Sequence, residues 1–268
     1  LGKADASFSR TTATSAARAG DFNARTTYPP VPFFAIANRW SERVVVGFSV
    51  DTPHGLSSEW KDHTWEVSLG SFGSADMVKL AQLTVIRFGP SVAWQTSENW
   101  SAGVRLFGQY VEAIDESDIT TQRAAGTSLG TQIGVRYRTP DLKAGFAYTT
   151  PTNTKINGKQ DNIHAAAASL IPGDINTRIL LPGRVQTGIA FRVRPDLWWE
   201  VDLDWIGWSY YDQLSIYQSN GTLTNTNKNE RHYTDTLSFR TGLKWEKSAR
   251  LTLHAGYGYD PTPVPERD

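Results

Sequence analysis

Three carboxylates stand two residues apart in the stretch WWEVDLDWIGW: Glu200, Asp202 and Asp204. Paired acids are the chemistry of glycoside hydrolysis, one acting as acid and the other as base or nucleophile. On a strand, however, residues two apart are neighbours on one face. The spacing therefore describes a ladder of charges at least as well as a catalytic pair, and Arg192 and Arg240 on the flanking segments offer partners. The five histidines, at positions 54, 63, 164, 232 and 254, show no metal-ligand spacing, and the chain has no cysteine. That excludes thiol chemistry and disulfides and leaves no thiolate for a structural zinc. No nucleophile elbow, phosphate loop or dinucleotide fingerprint occurs. These residues predict a protein without catalysis or cofactor.

The segments that carry the acids alternate strictly. Trp199, Val201, Leu203 and Trp205 point one way and the three acids the other. The same pattern recurs along the chain. Val44, Val46, Phe48 and Val50 alternate with Val45, Gly47 and Ser49; Ile86, Phe88, Val92 and Trp94 with Arg87, Gly89, Ser91 and Ala93. Trp100 to Leu106, Ile133 to Tyr137, Ile189 to Val193, Leu237 to Trp245 and Leu251 to Tyr259 repeat it. One face is large and apolar, while the other is Gly, Ala, Ser, Arg, Asp or His. A solvent-facing sheet gains nothing from glycine, which weakens strands. Small residues and guanidinium groups suit a crowded polar interior instead, so the pattern predicts a barrel with its apolar side turned outward.

Connections and aromatic residues follow the same plan. Short turns (38–42, 95–99, 138–141, 194–196, 246–249) alternate with long loops expected at 51–79, 111–126, 151–177 and 211–233, as in outer-membrane barrels. Of the ten tryptophans, Trp40, Trp94, Trp100, Trp198, Trp199 and Trp245 adjoin short turns. Trp205 and Trp208, with Tyr210, Tyr211, Tyr257 and Tyr259, adjoin long loops. These read as two interfacial girdles. No run of about 18 apolar residues exists to form a transmembrane helix, which leaves strand spans open. Lys plus Arg and Asp plus Glu are 27 each, so no basic excess points to nucleic acid.

Ten strands are expected, near 32–38, 43–52, 80–94, 99–110, 128–138, 142–150, 178–194, 197–210, 233–245 and 250–260. Residues 1–31 read as an extended remnant of an N-terminal region, 32–260 as the barrel and 261–268 as the start of an extracellular loop. Counting turns puts both ends of this set on the extracellular side, so a closed barrel needs further strands. Leu203 to Ile216, Gly256 to Asp268 with its TPVP run, and Val44 to Trp60 resemble strands of the FadL-type outer-membrane transporters of long-chain fatty acids and, in the toluene branch, aromatic hydrocarbons. The resemblance implies an all-β, antiparallel transmembrane barrel, here about ten of fourteen strands. The N-terminal hatch of the family, with its Asn-Pro-Ala turn, is not recognisable here.

It further implies a monomer in the outer membrane of a Gram-negative bacterium, in contact with lipid and lipopolysaccharide. Hydrophobic small molecules would be its cargo, captured among outer loops and released sideways where a strand kinks. Thr52, Pro53, His54 and Gly55 are the lateral-gate candidates: Pro53 removes a ladder donor and Gly55 permits unusual dihedrals. An ordinary strand end is the alternative. Arg105, Arg136, Arg192, Glu200, Asp202, Asp204, Arg240, Lys244 and His254 are the lumen candidates. The arginines could meet a fatty-acid carboxylate or pair with the acids. The Ala-rich stretch His164 to Ile175 reads as a loop helix, and Asn220-Gly221 as a plain loop. A soluble lipocalin-like binder and a hydrophilic porin are the competing readings.

Overall fold

A computed structural model of the chain describes residues 7–10, 20–23, 32–60, 66–68, 71, 73–163, 173–211, 213–214, 216–218, 229–230 and 232–265. His63, residues 164–172 of the Ala-rich stretch and Asn220-Gly221 fall outside these residues. Twelve strands matter for the argument. They are β1 (Phe33–Arg39), β2 (Val44–Glu59), β3 (Leu80–Gln95), β4 (Trp100–Glu116), β5 (Thr120–Arg138) and β6 (Leu142–Thr149), then β7 (Thr152–Asn162), β8 (Gly173–Leu181), β9 (Arg184–Arg194), β10 (Leu197–Ile206), β11 (Thr236–Ser248) and β12 (Leu251–Tyr259).

Ten of them form one antiparallel wall, in the order β1-β2-β3-β4-β5-β6-β9-β10-β11-β12, each beside its predecessor except where β7 and β8 intervene. Nine of them overlie spans expected from alternation, and the tenth, β9, is the second part of the span expected at 178–194, which breaks at Pro182-Gly183. Tight turns join the strands at one end, with Trp40 N–H donating to the Val44 carbonyl, Thr96 to Trp100 and Thr139 to Leu142. The strands β1 and β12 have one wall neighbour each among the described residues, and every residue in both is exposed.

The two faces differ in chemistry more than in exposure, since Glu200, Asp202 and Arg240 on the polar face are exposed as well. Trp199 is 41% exposed, Leu203 37%, Phe239 37% and Leu253 44%, while inward-facing Asp204 is 3% exposed. A water-soluble β-domain would bury the first set. A continuous apolar outer band of this size suits hydrocarbon and not water.

The outer ends of the strands differ from expectation. Residues 111–126 form a hairpin of β4 and β5 closed by the turn 117–119, where the Ser117 Oγ accepts from the Thr120 N–H. Much of 151–177 is likewise a hairpin, β7 against β8, and β2 runs to Glu59. Alternation did not reveal these extensions because they stand beyond the apolar band, where no lipid face is required. The strand expected to run to residue 210 stops at Ile206, and a 3-10 turn, Trp208–Tyr210, follows.

Two prolines mark the boundary. Pro151 separates β6 from β7 and Pro182-Gly183 separate β8 from β9, yet Thr149 still pairs with Arg184 and Thr152 with Leu181. One register thus runs unbroken between these two arms, whereas against β5 it slips by one residue, from Thr149 opposite Gln132 to Asn157 opposite Ala125. The outer hairpin is pressed onto β5 so closely that a Cβ at Gly158 would lie 1.9 Å from the Arg123 carbonyl oxygen, and one at Gly126 2.1 Å from that of Lys155. Gly158→Ala should therefore loosen the outer sheet by about 1–3 kcal/mol. Limited proteolysis, read as faster cleavage within 152–181, would check it.

Candidate functional site

The register carries all nine lumen candidates to the inner face. Asp202 lies between Gly188 and Arg240, Glu200 between Ala190 and Gly242, and Lys244 between Trp198 and His254. Arg136 lies between Ser101 and Gly145, and Arg105 between Ser91 and Gln132. Arg192 is opposite Trp198 and Asp204 opposite Ser238. The acids bend over glycine: a Cβ at Gly188 would collide with Asp202 Oδ1, and one at Gly242 would stand 2.8 Å from Glu200 Oε1. With so many small residues inside, a cavity of about 1120 Å3 opens, bordered by Ser49, Ser91, Gly103, Gly134, Gly188 and Asp202 among others.

The pairing of the interior charges departs from expectation. Asp204 is gripped by Arg184 through Nε at 2.7 Å and a second nitrogen, and Arg240 approaches it at 3.5 Å while also binding Asp260 at 2.7 Å. Arg192 pairs with Asp141 at 3.3 Å and not with the acid ladder. Lys244 holds Glu246 at 2.5 Å. That hydrogen bond, at the end bearing the short turns, holds the Glu246 carboxyl below its ordinary range. Arg136, His254, Glu200 and Asp202 make no ion pair among the described residues.

Higher in the lumen Asp51 meets two guanidinium groups, Arg87 at 2.5 Å and Arg105 at 2.7 Å. Both stack on Phe107, at 5.1 and 5.7 Å from the ring centre. One carboxylate faces two cations, so this level of the lumen carries a net positive charge. Phe107 is buried and lies on Gly130, where a Cβ would stand 2.3 Å from the ring. Arg105 was foreseen; Asp51, Arg87 and Phe107 were not. The signal was present, since Arg87 and Phe107 follow the inward alternation of their strands.

Trp198 corrects the girdle. It is buried inside, sandwiched between Lys143 at 4.2 Å and Arg192 at 4.9 Å, whereas its neighbour Trp199 faces out and donates its indole N–H to Thr241 Oγ1. Adjacent residues on a strand cannot share a face. Trp40, Trp94, Trp100 and Trp205 are exposed in the outer band as expected.

The inner face is packed at the outer strand ends. Gln109 donates to Thr152 Oγ1 at 2.9 Å, and Ser128 and Thr154 hydroxyls meet at 2.6 Å, which satisfies a buried polar layer. Beyond it Val85, Val111, Ala124, Ile156, Ile179 and Leu181 form a dry cluster on the neighbouring strands β3, β4, β5, β7 and β8. Asp115 lies on the same inner face near the tip of its hairpin, and burial, with Glu116 beside it, pushes its carboxyl above the ordinary range.

Of the gate candidates, Thr52 and Pro53 occupy a β-bulge. Asp51 pairs with Arg87 and His54 with Val85, so one residue too many stands opposite Ile86. The Thr52 hydroxyl is buried and has no hydrogen-bond partner among the described residues. The next seam is also interrupted: pairing between β3 and β4 lapses across Gly89-Pro90 and Leu106-Phe107, where Pro90 has no N–H to give. Gly55 continues the strand opposite Thr84. His54 meets the Trp208 ring edge-on at 6.1 Å. Trp208 thus stands on the inner side, in the parity of Asp204 and Ile206, and not in the expected outer girdle. Among the described residues no cluster of His, Cys, Asp or Glu could hold a metal ion.

A family model described as "Outer membrane protein transport protein (OMPP1/FadL/TodX)" matches residues 107–268. Among solved structures, a FadL homologue of Pseudomonas aeruginosa is 17% identical with a TM-score of 0.74, over 93% of this chain and 64% of that one. The toluene transporter TodX of Pseudomonas putida is 14% identical, TM-score 0.66, over 91% of this chain and 72% of that one. The CymD monoaromatic hydrocarbon channel is 15% identical, TM-score 0.62, over 98% and 73% respectively. The chain thus spans less than two thirds of the first of these structures, and at these identities the likeness is one of fold. No curated protein matched the sequence.

Proposed function

This chain belongs to the OMPP1/FadL/TodX family of outer membrane transport proteins, and from that premise we propose that it passes hydrophobic molecules across the outer membrane of a Gram-negative bacterium. Long-chain fatty acids and aromatic hydrocarbons are the candidate cargo. Passage is passive, without cofactor or catalytic step, by a monomer set among lipid and lipopolysaccharide. The cargo leaves sideways, through the wall at Thr52-Pro53. The observation that carries this reading is a wall whose pairing is broken at Thr52-Pro53, beside a buried apolar cluster on the inner face at the same level.

Physical chemistry favours such an exit for such a cargo. An apolar molecule that steps from the lumen into hydrocarbon avoids re-exposure to water, at about 25 cal/mol per Å2 of apolar surface. The two guanidinium groups on Asp51 would also suit a carboxylate head, with the tail beside Phe107. A soluble lipocalin-like binder would bury the outer band, and a hydrophilic porin would keep a water-filled passage where the dry cluster stands.

Deleting Pro53 tests the exit. The deletion removes the surplus residue, so the strands re-pair in register while Asp51 and His54 keep their inward orientation. The full-length protein carrying it should fold normally yet lose most uptake of a labelled fatty acid or toluene in cells. Uptake equal to that of the unaltered protein would sink the sideways route.

A further inference from the structure

Two packings stand on the inner face toward the outer end, and they differ in what holds them. The dry cluster is contributed by β3, β4, β5, β7 and β8, all joined by ladder hydrogen bonds. The second is a relay of rings. His54 on β2 meets Trp208 at 6.1 Å, Trp208 meets Tyr233 at 6.2 Å and Tyr233 meets Tyr211 at 5.8 Å. In wall order β2 and β10 are separated by β3, β4, β5, β6 and β9, so the His54 contact spans the lumen and does not run along the wall.

The far end of this relay is lightly held. Trp208 sits on a 3-10 turn of three residues that accepts no side-chain cap. Among the described residues its backbone is held by Gly207 N–H to Gly183, Tyr210 N–H to Gly207 and Tyr211 N–H to Trp208, together with the Ser209 N–H donated to Asp235. Short 3-10 segments bond poorly and shift at small cost. The near end, His54, is the first residue to resume pairing after the bulge at Thr52-Pro53. We propose that Trp208 is a latch: by bearing on His54 it holds the bulge in its closed arrangement, and cargo entering from the outer loops frees the bulge by displacing the indole.

This inference rests on the transport reading for its purpose, but the coupling it describes exists in the protein whether or not cargo moves. Trp208 is a positioning residue that acts through His54. The coupling is reciprocal, so loosening either end must loosen the other. It also explains why a solitary histidine is placed beside a wall defect: edge-on, its ring gives Trp208 a flat, directional partner.

Hydrogen exchange on the full-length protein in detergent micelles tests the latch directly. In Trp208→Ala, amides of residues 51–56 should exchange about fivefold faster, the loss of one aromatic contact, while those of 100–110 and 128–138 stay unchanged. Trp208→Phe should restore slow exchange, and His54→Ala should speed exchange at 207–211. Unchanged exchange at 51–56 in folded Trp208→Ala overturns the proposal, as does a rise spread evenly over the wall. Should Trp208→Ala not fold, His54→Ala alone decides: slow exchange at 207–211 overturns the latch. Failure of the unaltered protein to take up any hydrophobic compound counts instead against the transport reading and leaves the exchange pattern to judge the coupling.

Discussion

Replacing Leu203 by arginine should destabilise the folded protein in a bilayer by about 2–4 kcal/mol, the cost of a cation on the lipid face near mid-depth. Leu203 faces out between Trp199 and Trp205 on β10, opposite Thr187 and Phe239. A guanidinium there has hydrocarbon around it and only a long reach to either interface. Gln186, opposite the inward Asp204, provides the control. Gln186→Arg adds the same charge to the inner face, within reach of a carboxylate, and should cost less than about 1 kcal/mol. Urea unfolding in phospholipid vesicles measures both. Equal costs would mean that neither face meets lipid.

Removing the Asp51 carboxylate should be costlier for its size than any other change in the lumen, about 3–5 kcal/mol for Asp51→Ala. Arg87 and Arg105 are both largely buried and both rest on this single acid. Without it two guanidinium groups face one another over Phe107 with no counter-charge, and the Arg105 bond to the Ser49 carbonyl is a weak substitute. Adding Arg87→Met should return much of the loss, because one cation is then gone and the stem remains. The same unfolding assay serves. A cost below about 1 kcal/mol would show that lumen water screens the cluster as it would a surface pair.

Where the wall faces lipid, its strands were readable from sequence because each residue obeys two environments at once. Leu237, Phe239 and Leu243 must be apolar and Arg240 and Gly242 must fit inside, so period two is enforced on both faces. The Thr52-Pro53 irregularity was readable for a local reason, the missing proline donor. Residues 111–116, 120–126, 152–162 and 173–177 were not legible as strands, since beyond the hydrocarbon only the inner face is constrained. Trp198 could have been placed from its neighbour Trp199, but the girdle argument weighed both by nearness to a turn and not by parity. Asp51 meets Arg105 over the intervening strand β3, and His54 meets Trp208 across the lumen, so both contacts join segments that no local pattern relates. The second exists only once the sheet has curled.

The unbroken register through Pro151 and Pro182-Gly183 bears on how such a protein can change over evolutionary time. Because β7 and β8 prolong β6 and β9 without a slip between the two arms, the pairing of the lower wall is complete below Pro151 and Pro182 and does not depend on the side chains of the upper hairpin for its hydrogen bonds. Inner positions such as Ile156 and Ile179 can be exchanged for larger, smaller or more polar groups while the part that must assemble in the bilayer is left alone. On the proposed transport role, new cargo preferences arise at the mouth by drift in a few side chains, with insertion into the membrane shielded from the experiment.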